Sequence, residues 1–101
     1  GSIGDNRLGG WHGYRASKAA LNQMIRTLAI ELARQRPQAL CVALHPGTVA
    51  TALSAPFQGG VAPERLFGPD FAAERMLAVL GGLTPADSGG FYAWDGAPVP
   101  W

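Results

Sequence analysis

Tyr14-Arg15-Ala16-Ser17-Lys18-Ala19-Ala20-Leu21-Asn22 begins the stretch whose reading decides the fold. Downstream of it, Leu21, Met24, Ile25, Leu28 and Leu32 recur at intervals of three, one, three and four, and Ala16, Ala19, Ala20, Ala29 and Ala33 add helix propensity. The pattern predicts one long helix that ends between Arg34 and Pro37. Ala39-Leu40-Cys41-Val42-Ala43-Leu44 then forms a continuous apolar run closed by His45-Pro46-Gly47. After such a helix, that run predicts a buried parallel strand, and the carboxyl end of such a strand is where ligands gather in an open α/β sheet.

Upstream, Gly1 to Gly13 has five glycines together with Asp5 and Asn6, keeps no period, and reads as a loop. Downstream, Thr48 to Pro69 is rich in Gly, Pro and small residues and is long for a connection in a compact domain. Asp70 is the expected cap of a second helix, with Phe71, Met76, Leu77 and Leu80 on its apolar side and Gly81-Gly82 as its stop. Phe91-Tyr92-Ala93-Trp94 is a final strand, turned by Asp95-Gly96. The order loop, helix, strand, long loop, helix, strand is one half of an α/β unit, and no repeat or linker divides it. A parallel pair needs further strands and a helical layer on its other face. The expected edge of the Ala39 to Leu44 strand and the apolar side of the Leu21 to Leu32 helix therefore call for cover from another chain or from further residues.

Composition narrows the function. Of 101 residues, 48% are hydrophobic and only 15% are charged, the latter against roughly 25% in an ordinary globular chain. The formal net charge of +1 gives no field to collect nucleic acid or an anionic membrane. No apolar stretch approaches the roughly 20 residues of a membrane span, and the first residues lack a signal-peptide pattern. Cys41 is the only cysteine, so no intrachain disulfide can form, and a buried thiol in a reduced, cytoplasmic setting is expected. His12 and His45 have no partners at metal-ligand spacing, and a metal site is not expected. Trp11, Trp94 and Trp101 read as core or interface residues, since no basic stripe accompanies them.

Tyr14 and Lys18, four apart, stack on one side of the predicted helix. An ammonium on a face that should be covered is costly without a partner, and a neighbouring cation favours the phenolate of a tyrosine, which in water ionises only near pH 10. Spacing alone favours the simpler reading, an aromatic helix start with a snorkelling lysine. The surrounding letters do not. Tyr14 to Asn22, with its small residues and Ser17 immediately before Lys18, resembles the Tyr-x-x-x-Lys segment of the short-chain dehydrogenases/reductases. Gly1-Ser2-Ile3-Gly4-Asp5-Asn6 with Gly9-Gly10-Trp11 is similar to the branch of C-factor-like proteins and insect carbonyl reductases.

The resemblance implies an α/β fold in which residues 1–101 are the C-terminal part of a single NAD(P)-binding Rossmann-like domain, a doubly wound parallel sheet that is incomplete in this chain. It implies that Tyr14 is the acid-base residue and that Lys18 favours its phenolate and binds the nicotinamide ribose. It implies that Ser2, the only serine upstream of Tyr14, holds the substrate oxygen. His45-Pro46-Gly47-Thr48-Val49-Ala50-Thr51 resembles the family's Pro-Gly segment, which carries cofactor contacts to Pro46, Gly47 and Val49 through backbone and to Thr51 through its hydroxyl. The cofactor so implied is NAD or NADP, and the substrate a small carbonyl or alcohol, in an oxidoreductase that works when complete. A non-catalytic structural or interaction protein is the alternative. The family's Gly-x-x-x-Gly-x-Gly turn is not found, and Gly9-Gly10 and Gly59-Gly60 do not follow a strand and open a helix as it does. The isolated chain is accordingly expected to be inactive, and to be a homo-oligomer or to pack against an N-terminal half.

Overall fold

The computed structural model describes residues 2–49 and 66–101. Helix α1 spans His12–Gln35, strand β1 Ala43–His45, strand β2 Thr48–Val49, strand β3 Leu66–Phe67, helix α2 Pro69–Gly82 and strand β4 Phe91–Ala93, with a 3-10 turn at Pro85–Asp87. β1 and β4 pair in parallel, with Ala43 opposite Phe91, Leu44 opposite Tyr92 and His45 opposite Ala93. β2 and β3 form a second parallel pair, Thr48 opposite Leu66 and Val49 opposite Phe67. The result is a Rossmann-like α/β arrangement with a small parallel sheet. No described helix is long and apolar enough to cross a membrane.

The strand expected at Ala39 to Leu44 is shorter and lies later, and the hydrogen bonds give the reason. The Cys41 amide donates to the Ser88 hydroxyl at 3.0 Å, so a side chain occupies the place of a strand partner. The Gly89 amide donates to the Cys41 carbonyl at 2.7 Å, and the Ala43 amide to the Gly90 carbonyl at 3.0 Å, from where the regular ladder begins. α1 meets the same segment: Arg26 Nη1 donates to the Gly89 carbonyl at 3.1 Å. A Cβ on Gly89, which has φ +84°, would stand 3.1 Å from that nitrogen and 3.5 Å from Ala29 Cβ.

α2 starts and ends differently from the sequence reading. Gly68 is its cap and Pro69 occupies the first turn, where the locked ring φ suits a helix start. Asp70 therefore lies inside the first turn, a favourable place for a negative charge. Gly81 and Gly82 remain helical, and the chain leaves at Leu83 with its amide bonded to Leu80. The 3-10 turn is closed by a capping box in which Thr84 and Asp87 bond each other's backbones.

Among the described residues, the buried hydrophobic ones are mostly small: Ala29, Ala43 and Ala72 with Val79 and Phe91. Of the expected apolar stripe on α1, Ile25 and Leu32 are half-buried, whereas Leu21, Met24 and Leu28 are exposed. A sheet only two strands wide covers one narrow strip of the helix, and Ala29 lies in it. Cys41 is half-buried, with Sγ 3.8 Å from the Ile25 carbonyl.

Ser88 bonds both the amide and, at 3.4 Å, the carbonyl of Cys41. Ser88→Ala is expected to lower the unfolding free energy by about 1 to 3 kcal/mol, the cost of stranding the partly buried Cys41 amide. Urea unfolding of the full protein measures it, and an unchanged midpoint would show that the bridge is dispensable.

Candidate active site

α1 carries the first group of candidate residues. Its cap, Trp11, has φ 50° and ψ 47° and makes no side-chain capping hydrogen bond, and no acidic residue lies in the first turn. Gly9 and Gly10 precede it with φ +67° and +72°, so three consecutive residues are left-handed, an arrangement that only glycine enters without cost. Tyr14 follows in the first turn of the helix and is 53% exposed. Lys18 Nζ lies 5.7 Å from the centre of the Tyr14 ring, so the four-residue spacing does bring the phenol and the cation together. Ser17 Oγ donates to the Tyr14 carbonyl at 2.7 Å, which directs it back along the helix.

Ser2 is placed otherwise. Its Oγ donates to the Pro100 carbonyl and accepts the Asp5 amide at 3.1 Å. The Gly4 amide meets the Trp101 carbonyl at 2.6 Å, so the segment around Ser2 is tied to the tail that follows β4. Within that tail, the Trp101 ring packs 5.3 Å from Phe91.

The Pro-Gly segment lies at the carboxyl end of β1, between β1 and β2. Gly47 has φ +79°, and a Cβ there would fall 2.6 Å from Phe67 Cε2 and 3.3 Å from Trp94 Cδ1. Phe67 and Trp94 meet edge to face at 4.7 Å, and Phe71 joins Phe67 at 5.0 Å. The turn is thus pressed against an aromatic cluster from β3, α2 and the end of β4. Pro46 and Val49 flank it, both half-buried. Thr51 lies outside the described residues. Trp94 is a packing residue here, and sequence reasoning did not connect it to Gly47, because the two-residue strands that carry Val49 and Phe67 have no readable period. Arg15 reaches the preceding loop: its guanidinium donates to the carbonyls of Gly9 and Gly10. No group of three or more metal-ligating side chains occurs among the described residues.

His45 ends β1 beside this turn. Desolvation lowers its pKa below 6.5, so the fold favours the neutral ring. The unfolded chain then binds the proton more readily, and stability declines as pH falls below about 6.5 through the folded value. An imidazole titration followed by NMR should have its midpoint below 6.5; one at or above it would remove this contribution.

Comparisons with known proteins give the family and the fold. The sequence profile described as short chain dehydrogenase matches residues 2–60. C-signal of Myxococcus xanthus is 40% identical over 102 residues, covering all of this chain and 55% of that protein. The 1-hydroxy-2-glutathionyl-2-methyl-3-butene dehydrogenase of Rhodococcus sp. is 38% identical over 101 residues, covering all of this chain and 42% of that protein. Two solved structures superpose with a TM-score of 0.82: carbonyl reductase Sniffer of D. melanogaster, at 35% identity, and an NADPH-bound carbonyl reductase from chicken fatty liver, at 36%. Each superposition covers 99% of this chain and 37% and 38% of those chains respectively. The chain therefore spans between about two fifths and just over half the length of these relatives.

Gly47 is required twice, for its positive φ and for the space taken by Phe67. Gly47→Ala should destabilise the full protein by at least about 2 kcal/mol, read from its denaturation midpoint, while a loss below 0.5 kcal/mol would mean that the aromatic cluster yields easily.

Proposed function

We propose, since the chain belongs to the short chain dehydrogenase family, that residues 1–101 form the C-terminal, acid-base part of a single NAD(P)-binding Rossmann-like domain. The activity of the whole protein is hydride transfer between NAD(P)(H) and a carbonyl or alcohol. The observation that carries this reading is the pairing of Lys18 Nζ with the Tyr14 ring, 5.7 Å apart on an exposed first turn. A phenol and an ammonium on successive helical turns suit a nicotinamide ribose, which offers hydroxyls to both.

The nicotinamide, as NAD or NADP, supplies or accepts the hydride when bound. In the reducing direction Tyr14 gives its phenolic proton to the oxygen of the carbonyl, and Lys18 offsets the negative charge left on the ring oxygen. In the oxidising direction the phenolate takes the proton from the alcohol. Ser2 holds the substrate oxygen by exchanging the Pro100 carbonyl for it, since a hydroxyl has only one proton to donate. Pro46, Gly47 and Val49 meet the carboxamide end of the cofactor through their backbones, and Thr51 its phosphates. The exposed Leu21, Met24, Leu28 and Leu77 are covered by the rest of the domain or by a second copy of the chain.

Tyr14→Phe in the full protein keeps the ring and removes the proton. Its kcat for NAD(P)H-dependent reduction of a panel of carbonyl compounds should fall at least about 100-fold, in the range of lost acid catalysis. Unchanged kcat across the panel would remove Tyr14 as the acid and favour a non-catalytic binding role.

A further inference from the structure

Arg15 is not one of the residues that the hydride-transfer chemistry uses, yet it is the side chain most committed to the start of α1. Nε donates to the Gly10 carbonyl at 2.9 Å and Nη2 to the Gly9 carbonyl at 3.2 Å. The guanidinium carbon lies 5.4 Å from the centre of the Trp11 ring. The Arg15 backbone amide completes the arrangement by donating to the Trp11 carbonyl at 2.9 Å. One residue thus grips three consecutive left-handed residues, two through their carbonyls and the third through both its ring and its carbonyl.

That grip replaces what the helix start lacks. A helix normally begins with a side-chain cap and an acidic residue in its first turn, and α1 has neither. Gly13, a weak helix former, lies in the same turn immediately before Tyr14. Trp11 also bears the cost of a left-handed backbone without being glycine. Left to local propensity, the first turn would fray, and Tyr14 would fray with it. A planar guanidinium can serve two carbonyls and a ring face at once, which an ammonium cannot do with the same geometry.

We propose that Arg15 is a positioning residue: its fork onto Gly9 and Gly10 and its cation–π contact with Trp11 hold the left-handed turn, and so hold Tyr14 in the first helical turn where it must meet the substrate oxygen. This rests on the reading of Tyr14 as the acid. The Arg15 guanidinium is spent on the Gly9 and Gly10 carbonyls and the Trp11 ring, so its loss weakens the chemical step and leaves nucleotide binding in place.

Three variants of the full protein test it: Tyr14→Phe, Arg15→Lys and Arg15→Gln, each assayed for carbonyl reduction with NADPH and NADH. Lysine and glutamine have helix propensities close to that of arginine, and thermal unfolding checks that each variant is folded. Arg15→Lys keeps the charge but not the fork. It is expected to lower kcat about 10-fold or more, as does Arg15→Gln, with the KM for nucleotide changed less than twofold. Hydrogen exchange at the amides of residues 15 to 18, the first that bond within the helix, should quicken in both. Wild-type kcat in Arg15→Lys would overturn the proposal by showing that charge suffices. So would a loss confined to nucleotide KM, which would place Arg15 in cofactor binding. If Tyr14→Phe is inactive while both Arg15 variants are fully active, the positioning role alone fails. If Tyr14→Phe is fully active, the catalytic reading fails and this one with it.

Discussion

The seat of Ser88-Gly89-Gly90 between α1 and the residues before β1 is the constraint on which the described fold depends. Gly89 is buried, and its amide and carbonyl bond in opposite directions, to Cys41 and to Arg26. Its positive φ disfavours any side chain, and a Cβ there would crowd the Arg26 guanidinium and touch Ala29. Gly89 thus lets the chain pass close to α1. From there the ladder runs through Ala43 and Phe91 to His45 and Ala93, which brings the end of β1 level with Trp94 and lets Gly47 turn against the aromatic cluster. The exit of the chain toward the Pro-Gly turn follows from a contact made at the other end of the strands.

Parts of this were legible in the sequence and parts were not, for reasons that can be named. α1 was readable because its apolar residues keep the helical interval over about three turns, and the Tyr14 and Lys18 pair came with it, since their meeting is a property of one helix. The parallel strands were readable as apolar runs, but their limits were not: Ser88 interrupts the ladder at Cys41, and a side chain that replaces a backbone partner leaves no trace in hydropathy. The cap of α2 is Gly68 and not Asp70, and Pro69 is the residue that marks the start. The Thr84-Pro85-Ala86-Asp87 capping box has a polar pattern of its own, but its turn is too short to show a period.

The site was less legible than the fold that holds it. Letters at Tyr14, Lys18 and the Pro-Gly turn marked the residues, but the grip of Arg15 on three left-handed residues depends on backbone angles that a tryptophan would not suggest. The β2 and β3 pairing was hidden for a different reason, as strands of two residues are too short to show alternation. Ser2 illustrates a third limit. Its partners lie at the far end of the chain, and no local feature connects them.

The small residues in the core and the wide spacing of its contacts have a consequence for how the chain assembles. α1 is made of neighbours in sequence, and a helix of this length forms within about a microsecond. β1 and β4 join residues nearly half the chain apart, so their pairing must first overcome the entropy of closing the segment between them. On a ribosome, α1 also emerges well before β4 has been made. The Tyr14 and Lys18 pair is thus assembled early, while the turn at Gly47 waits for closure, and throughout that interval the helix shows Leu21, Met24 and Leu28 to its surroundings. The same stripe that the finished strands leave uncovered is the surface by which a half-made chain can stick to its neighbours.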